Sequence, residues 1–177
     1  PVPPPEPVEE LVELTTLFDV SEALGGSTPL HDGLREVMAL LRRHPGALRG
    51  SLTLLDEETG ELYIEASLDL PEEGRLARYQ VGEGITGEVV ATGRPMVVPD
   101  VAREPRFLHR TFRRGGHPAD AVTFACVPIL VDHRAVGALS VDLPHRPGDD
   151  TAPLVKFLHV VAALVALRLK TQRPPEE

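Results

Sequence analysis

The sequence has 177 residues and a formal net charge of −9, with 18 Lys and Arg against 27 Asp and Glu. This length suits one domain with its own core, and the acidic balance argues against a nucleic-acid surface, which needs a basic face. The hydrophobic content of 42% is ordinary for a soluble protein, the apolar runs are too short to predict a membrane span, and the Pro-rich start does not match a signal peptide. A single cysteine, Cys126, excludes an internal disulfide framework, so we expect a cytoplasmic protein.

The spacing of apolar residues predicts two N-terminal helices. A Pro-rich tail at residues 1–7 is expected to be disordered. Residues 8–24 repeat apolar side chains at helical spacing until a glycine pair ends the pattern. Pro29 opens a second amphipathic helix that stops near residues 44–46. Together these segments predict an αα-hairpin.

Alternating apolar residues predict two β-hairpins with a short strand between them. The first hairpin spans residues 47–68, the short strand residues 77–80, and the second hairpin residues 121–143. Residues 101–121 lack a sustained period, and a loop of that length is expected to form a lid or a pocket wall. Four apolar residues of one strand are expected on a single face: Leu62, Ile64, Ala66 and Leu68.

A final helix is predicted from residue 151 to about residue 171. Its apolar residues cover two adjoining sides, so it should pack on the sheet and also meet a further surface. The simplest candidate for that surface is the first helix of a second copy. The pattern therefore predicts a homodimer through the terminal helices.

The segment of residues 78–100 contains the most informative glycines. It predicts a strand, a glycine loop, a helix of about two turns ended by Gly93, and another strand. Amides at the start of this helix could bind an anion. The glycines match G-x-G-x-x-G, but we reject a dinucleotide site. The helix is too short for the usual crossover, Glu83 would face a pyrophosphate, and the chain offers hairpins in place of repeated βαβ units.

This order of elements, together with five motifs, resembles a GAF domain over about residues 10–170. The motifs are VGEGITG at residues 81–87, GRP at 93–95, VPDV at 98–101, VPIL at 127–130 and GALSVD at 137–142. The resemblance implies an α/β (α+β) fold with a central antiparallel sheet of about six strands. It places helices 8–24 and 151–171 on one face of the sheet and a loop-covered ligand pocket on the other.

Among GAF families, the chain is most similar to the sensor domain of NifA-type transcriptional activators, through residues 78–79 and 104–110. That resemblance implies a regulatory domain at residues 8–172 and a tail at 173–177 leading to ATPase and DNA-binding domains outside this chain. It also implies a small anionic metabolite such as 2-oxoglutarate as the ligand, or a partner that reports nitrogen status.

The candidate ligand-binding residues combine the resemblance with side-chain chemistry. Arginine suits a carboxylate because its planar guanidinium donates hydrogen bonds in pairs. Arg110 is the first choice, with Arg78 or Arg106 as further donors, although the arginines of residues 103–114 would also fit a solvated surface. The candidate set is Arg78, Tyr79, Gly84, Thr86, Gly87, Asp100, Phe107, Arg110, Phe124 and Ser140.

Residue types argue against an enzyme and against several specialised GAF activities. No nucleophile–base pair or carboxylate dyad indicates catalysis, and no cofactor is expected. The chain lacks the asparagine of the cyclic-nucleotide signature and the Cys-His pair of bilin attachment, and its single cysteine does not match methionine-sulfoxide-reducing GAF enzymes. Cys126 is expected to be a packed, small apolar residue.

Two alternatives stay open. One is a ligand-free module for dimerisation or partner docking, favoured by the wide apolar surface of the last helix. The other is a mononuclear iron site that senses nitric oxide, with Asp100, Cys126 and Asp142 as mixed oxygen and sulfur ligands.

Overall fold

The structure is a computed structural model that describes residues 7–108 and 121–172. Its helices are α1 (Pro7–Gly25), α2 (Leu30–Leu40), α3 (Glu72–Arg75), α4 (Gly84–Thr92) and α5 (Ala152–Gln172). Its strands are β1 (Arg49–Leu55), β2 (Glu61–Leu68), β3 (Arg78–Gln80), β4 (Met96–Val98), β5 (Val122–Val131) and β6 (Arg134–Pro144). The expected tails lie outside the described residues, apart from Pro7, which begins α1, and so does the greater part of the expected lid.

The six strands form one antiparallel sheet in the order β3-β2-β1-β6-β5-β4. Asp132 and His133 form the two-residue turn between β5 and β6, and both have positive φ, at 49° and 66°. Turns of this kind match the twist of a tight hairpin. The sheet confirms the predicted fold, with hairpins in place of βαβ units.

One face of the sheet, which we call the helix face, is covered by α2 and α5. Helix α2 packs on β1 and β2, and α5 packs on β5 and β6. Helix α1 packs mainly on α2 and α5, through a buried stripe that includes Thr16, Val20 and Leu24. The expectation that α1 lies on the sheet is therefore corrected. Helix α2 takes that place, and α1 forms an outer layer.

Helix α5 is apolar on two sides because both sides are covered within the chain. Leu158, Val161 and Val165 are fully buried, and α5 contacts the sheet as well as α1. The first helix of the same chain thus occupies the position that the sequence hypothesis assigned to a second copy. By length and composition alone α5 could cross a membrane, which corrects the expectation about apolar runs. A helix packed into a core in this way is weak evidence for a membrane span.

A bulge in β2 divides its apolar residues between the two faces. Leu52 of β1 pairs with Ala66, whereas the next residue, Thr53, pairs with Ile64, so the register shifts by one residue. Leu62 consequently packs in the cluster on the opposite face, while Ala66 packs against the helices. The prediction that all four apolar residues share one face is wrong, because an extra residue reverses the alternation.

The other face, which we call the glycine-loop face, is covered by α4 and the segment after β4. Ile85, Val89 and Val90 of α4 are buried in the apolar cluster of this face, as their spacing predicts. Gly93, with φ 65°, ends α4 and donates to the Val89 carbonyl. The segment of residues 78–100 therefore has the predicted order of strand, loop, helix and strand.

Candidate ligand site on the glycine-loop face

Four polar side chains lie side by side on the two central strands of the glycine-loop face. Arg49 and Ser51 of β1 lie opposite Asp142 and Ser140 of β6, respectively. Nε of Arg49 donates to Oδ2 of Asp142 at 3.2 Å, and the two serine Oγ atoms lie 2.8 Å apart. We call these four residues the polar cluster.

The polar cluster is buried although it contains two opposite charges. Asp142 is 1% exposed, Ser140 is 3% exposed, and the Arg49 side chain is 20% exposed. A buried ion pair stabilises a fold little better than apolar side chains of similar size, since the loss of hydration offsets the attraction. The helix face of the same strands is apolar, with Leu52 and Leu139 in the core. Stability alone therefore does not account for the polar cluster, which makes it a candidate functional site.

Aromatic residues lie on the same face of the sheet as the polar cluster. Phe124 of β5 lies opposite Asp142, and Phe107 packs edge-on against Phe124 with ring centroids 5.0 Å apart. Tyr79 of β3 faces the same side, since it pairs with Leu62 and packs in the same apolar cluster. The structure thus brings the predicted residues Tyr79, Phe107 and Phe124 to the same face as Ser140.

Thr86 and Cys126 connect α4 to the sheet beside the polar cluster. Cys126 lies opposite Ser140 in the β5–β6 pairing and is hydrogen bonded to the Thr86 hydroxyl. Burial raises the pKa of the Cys126 thiol to about 12, and the hydrogen bond with Thr86 opposes that shift only in part. The thiol is therefore neutral at physiological pH and is not an activated nucleophile. Its complete burial confirms the prediction of a packed, small residue.

The glycine loop brings α4 close to β3. A Cβ on Gly87 would lie 2.5 Å from the Gln80 carbonyl oxygen, and a Cβ on Gly84 would lie 2.9 Å from Cδ1 of Leu108. The Gly87 backbone amide donates to the Glu83 carbonyl at 3.1 Å, and the Glu83 carboxylate accepts from the backbone amide of Gln80 at 2.8 Å. A carboxylate at the loop repels anions, which weakens the hypothesis that the loop amides bind one.

Three predicted residues are not placed beside the polar cluster. Arg78 lies opposite Tyr63 with its Cζ 5.6 Å from that ring centroid, on the face opposite to Tyr79. Asp100 accepts a hydrogen bond from the Ala102 amide at 3.1 Å and so caps the 3₁₀ turn after β4. Arg110 lies outside the described residues.

Arg106 is held at the surface by two carboxylates. Its Nε donates to Glu104 at 2.8 Å and its Nη1 to Glu88 at 2.9 Å. The hydrogen bond from Arg106 lowers the pKa of Glu104. Arg106 therefore links α4 to the segment after β4, which is a structural role distinct from anion capture.

The sequence hypotheses omit Arg49 and Ser51, and they include Asp142 only as a possible iron ligand. A signal for the two omitted residues is present in β1, where polar side chains at 49, 51 and 53 alternate with Gly50, Leu52 and Leu54. A central strand covered on both faces is normally apolar throughout. Alternation in such a strand therefore indicates a polar interior on one side of the sheet.

Within residues 7–108 and 121–172, no three His, Cys, Asp or Glu side chains come together in a group that could hold a metal ion. Asp100, Cys126 and Asp142 are instead engaged with Ala102, Thr86 and Arg49, respectively. The iron-site alternative thus has no support in the described part of the chain.

Comparison with known proteins identifies relatives over most of the sequence. The family model described as GAF domain matches residues 29–169. The Nif-specific regulatory protein of Herbaspirillum seropedicae is 36% identical over 167 residues, which cover 92% of this chain and 30% of that protein. The chain therefore spans less than a third of the length of this relative.

Solved structures share the fold. The nlh2 GAF domain of A. aeolicus, in an inactive state, has a TM-score of 0.79 at 20% identity and covers 93% of this chain and 99% of its own. The free methionine-R-sulfoxide reductase of Neisseria meningitidis, in complex with its substrate, has a TM-score of 0.74 at 22% identity. The match covers 91% of this chain and 90% of the reductase chain. At these identities the likeness shows the fold and not an activity. Together with the family match, it shows that the chain belongs to the GAF domain family.

Proposed function

We propose that the chain is the sensory, regulatory domain of a nitrogen-fixation-type transcriptional regulator and binds a small anionic metabolite such as 2-oxoglutarate on its glycine-loop face. The observation that carries this proposal is the polar cluster, which is buried on the two central strands of the sheet in a chain similar to a Nif-specific regulatory protein. A carboxylate fits this environment because a guanidinium and hydroxyl groups can donate to its oxygens together.

The residues around the polar cluster would complete the proposed site. Phe107 and Phe124 offer an apolar wall for the methylene carbons of a short dicarboxylate, and Thr86 offers a hydroxyl group. Tyr79 lies on the same face, near the other end of β1. Gly84 and Gly87 would shape the loop that holds α4 in place, and Arg110 is a proposed further donor. Arg78 and Asp100 are not included in the proposed site. Arg78 lies over the Tyr63 ring on the opposite face, and Asp100 accepts a hydrogen bond from the Ala102 amide.

The proposed signal travels from the ligand to the terminal helices through β5 and β6. Both strands carry site residues at one end and meet at the turn that contains Asp132 at the other, and α5 packs on β5. Near the end of α5, Lys170 pairs with Asp132, and Arg168 donates to the Thr28 carbonyl at 2.8 Å. A shift of the β5–β6 hairpin would therefore alter the position from which ATPase and DNA-binding domains follow. Such a switch requires only that the ligand prefers one helix arrangement.

A thermal-shift titration of the 177-residue chain tests the proposal, with 2-oxoglutarate compared with succinate, formate and cyclic GMP. A ligand that prefers the native state at 100 times its Kd raises the free energy of unfolding by about 2.7 kcal/mol. We expect a saturating rise in Tm with 2-oxoglutarate, a smaller one with succinate and none with formate or cyclic GMP. The absence of any selective rise would refute the carboxylate sensor.

A second candidate function, a homodimerisation or partner-docking module, is favoured by the outer side of α1. Four large apolar residues on this helix are more than 60% exposed: Val8, Leu11, Leu14 and Phe18. Exposed apolar stripes of this kind mark interaction surfaces. The two functions are compatible, since a dimer through α1 would leave the glycine-loop face open to a ligand.

We also infer a role without catalysis. The similar Herbaspirillum protein is described as a regulatory protein, although a reductase shares the fold. The one cysteine of the chain is fully buried with a neutral thiol, which does not suit redox chemistry on a free substrate. Purified protein should therefore show no reduction of methionine sulfoxide.

A further inference from the structure

We infer that Arg49 binds a carboxylate of the ligand and that Asp142 is a positioning residue that orients the Arg49 guanidinium. This inference rests on the proposed function, and it identifies the arginine that binds the ligand and the residue that orients this arginine. It concerns a pair of residues that lie 93 positions apart in sequence and meet across β1 and β6.

The location of Arg49 distinguishes it from the arginines that the sequence suggests. Arg78 stacks over Tyr63 on the opposite side of the sheet, and Arg106 is paired with two glutamates at the surface. Arg49 is the first residue of β1, one of the two central strands, and lies on the glycine-loop face. Its side chain is only one-fifth exposed, so a contact with a ligand there is partly shielded from water and correspondingly strong.

The contact with Asp142 fixes the orientation of the guanidinium plane. Nε of Arg49 is held 3.2 Å from Oδ2 of Asp142, and Asp142 is itself buried between β1 and β5. A guanidinium is planar, so fixing one nitrogen restricts the directions in which the others donate. This preorganisation lowers the entropic cost of ordering the Arg49 side chain when a ligand binds.

The charges of the pair favour a carboxylate over a phosphate. A ligand that reaches Arg49 must share it with the negative Asp142 carboxylate. A carboxylate brings one negative charge to this position, whereas a phosphate monoester carries nearly two at pH 7 and meets stronger repulsion from Asp142. The hydroxyls of Ser51 and Ser140, which form the next residue pair on the same face and lie 2.8 Å apart, can donate to the oxygens of a carboxylate.

The test is isothermal titration calorimetry of the 177-residue chain with 2-oxoglutarate. The principal variant replaces both partners, Arg49→Gln with Asp142→Asn, so that the two opposite charges are removed together. We expect its affinity to be at least about tenfold weaker than that of the unmodified chain, which corresponds to about 1.4 kcal/mol. Arg78→Ala is the matched control, because it removes an arginine from the opposite face, and its affinity should be unchanged.

Two further measurements separate a binding role from a structural one. Arg49→Lys retains the charge but loses the planar fork, so we expect a normal circular dichroism spectrum with weakened binding. Inorganic phosphate should not compete with 2-oxoglutarate in the unmodified chain.

The outcomes are distinguishable. If the unmodified chain binds no carboxylate, the proposed function fails and this inference fails with it. If it binds 2-oxoglutarate and the double variant binds equally well, the proposed function stands and the assignment of Arg49 is overturned. Effective competition by phosphate would overturn the assigned ligand class.

Discussion

Cys126 shows how one buried side chain couples the fold to pH. Burial raises the pKa of its thiol to about 12, above the ordinary value of about 8.5 for an exposed thiol. Between these two values the folded state retains a proton that the unfolded state releases. The free energy of unfolding must therefore fall as the pH rises through this range, by up to about 1.4 kcal/mol per pH unit from this group.

The Cys126→Ala variant isolates that contribution. We expect the unmodified chain to lose stability more steeply than the variant between pH 8.5 and pH 10.5, as measured by urea unfolding at a series of pH values. The variant starts from a lower stability because it leaves a small cavity, so the slopes are compared and not the absolute values. Parallel curves for the two proteins would show that the thiol titrates normally in the folded state.

At the scale of elements, the glycine loop illustrates a close contact that only one residue type permits. A Cβ on Gly87 would lie 2.5 Å from the Gln80 carbonyl oxygen, and this oxygen also accepts a hydrogen bond from the Glu83 amide at 3.0 Å. The Gly87→Ala variant must therefore displace α4 from β3. We expect thermal or urea denaturation to show a loss of about 2–3 kcal/mol, in the range found for overpacked sites.

Gly25→Ala is the control for that substitution. Gly25 lies at the end of α1, where an added Cβ would meet no atom within 4 Å. Its replacement should change the free energy of unfolding by less than about 0.5 kcal/mol. Equal losses in the two variants would contradict the assignment of a tight contact at Gly87.

Local signals in the sequence were sufficient for most of the elements. The glycine segment is predicted with its order and its end at Gly93, because glycine and proline restrict the backbone independently of distant contacts. The β2 bulge is not predicted. Both faces of the sheet are covered and accept apolar residues, so the apolar residues of β2 do not reveal the position at which the alternation reverses. The position of α1 is also missed, because amphipathic spacing identifies a buried stripe without naming its partner.

The candidate site was predictable only where a family motif or a local pattern marks it. Tyr79, Thr86 and Ser140 lie in or beside motif segments and face the expected side of the sheet. Arg49 and Asp142 become neighbours only through the β1–β6 pairing, which joins strands nearly a hundred residues apart. No local pattern specifies that pairing. The placement of Arg78 on the other face follows from strand alternation, which the family resemblance did not take into account.

For the whole molecule, the main unexplained feature is the outer side of α1. Its inner stripe is buried against α2 and α5, while Leu11, Leu14 and Phe18 project outward and are each more than 60% exposed. On α5, Leu167 is also 63% exposed. A helix that is apolar on both sides is expected to be buried on both. We therefore expect two copies to associate through α1, although the net charge of −9 per chain opposes association at low salt.

The double variant Leu11→Glu with Phe18→Glu should abolish this dimer, because it places four negative charges in an apolar contact between two copies. The measurement is the molar mass from size-exclusion chromatography with light scattering, which we expect to fall from about twice 19.2 kDa to the single-chain value. Leu76→Glu is the matched control, since Leu76 is 72% exposed but lies outside the terminal helices. Its mass should stay that of the dimer. If the unmodified chain is monomeric in physiological salt, the homodimer proposal is rejected, and the apolar side of α1 would then bind a different partner.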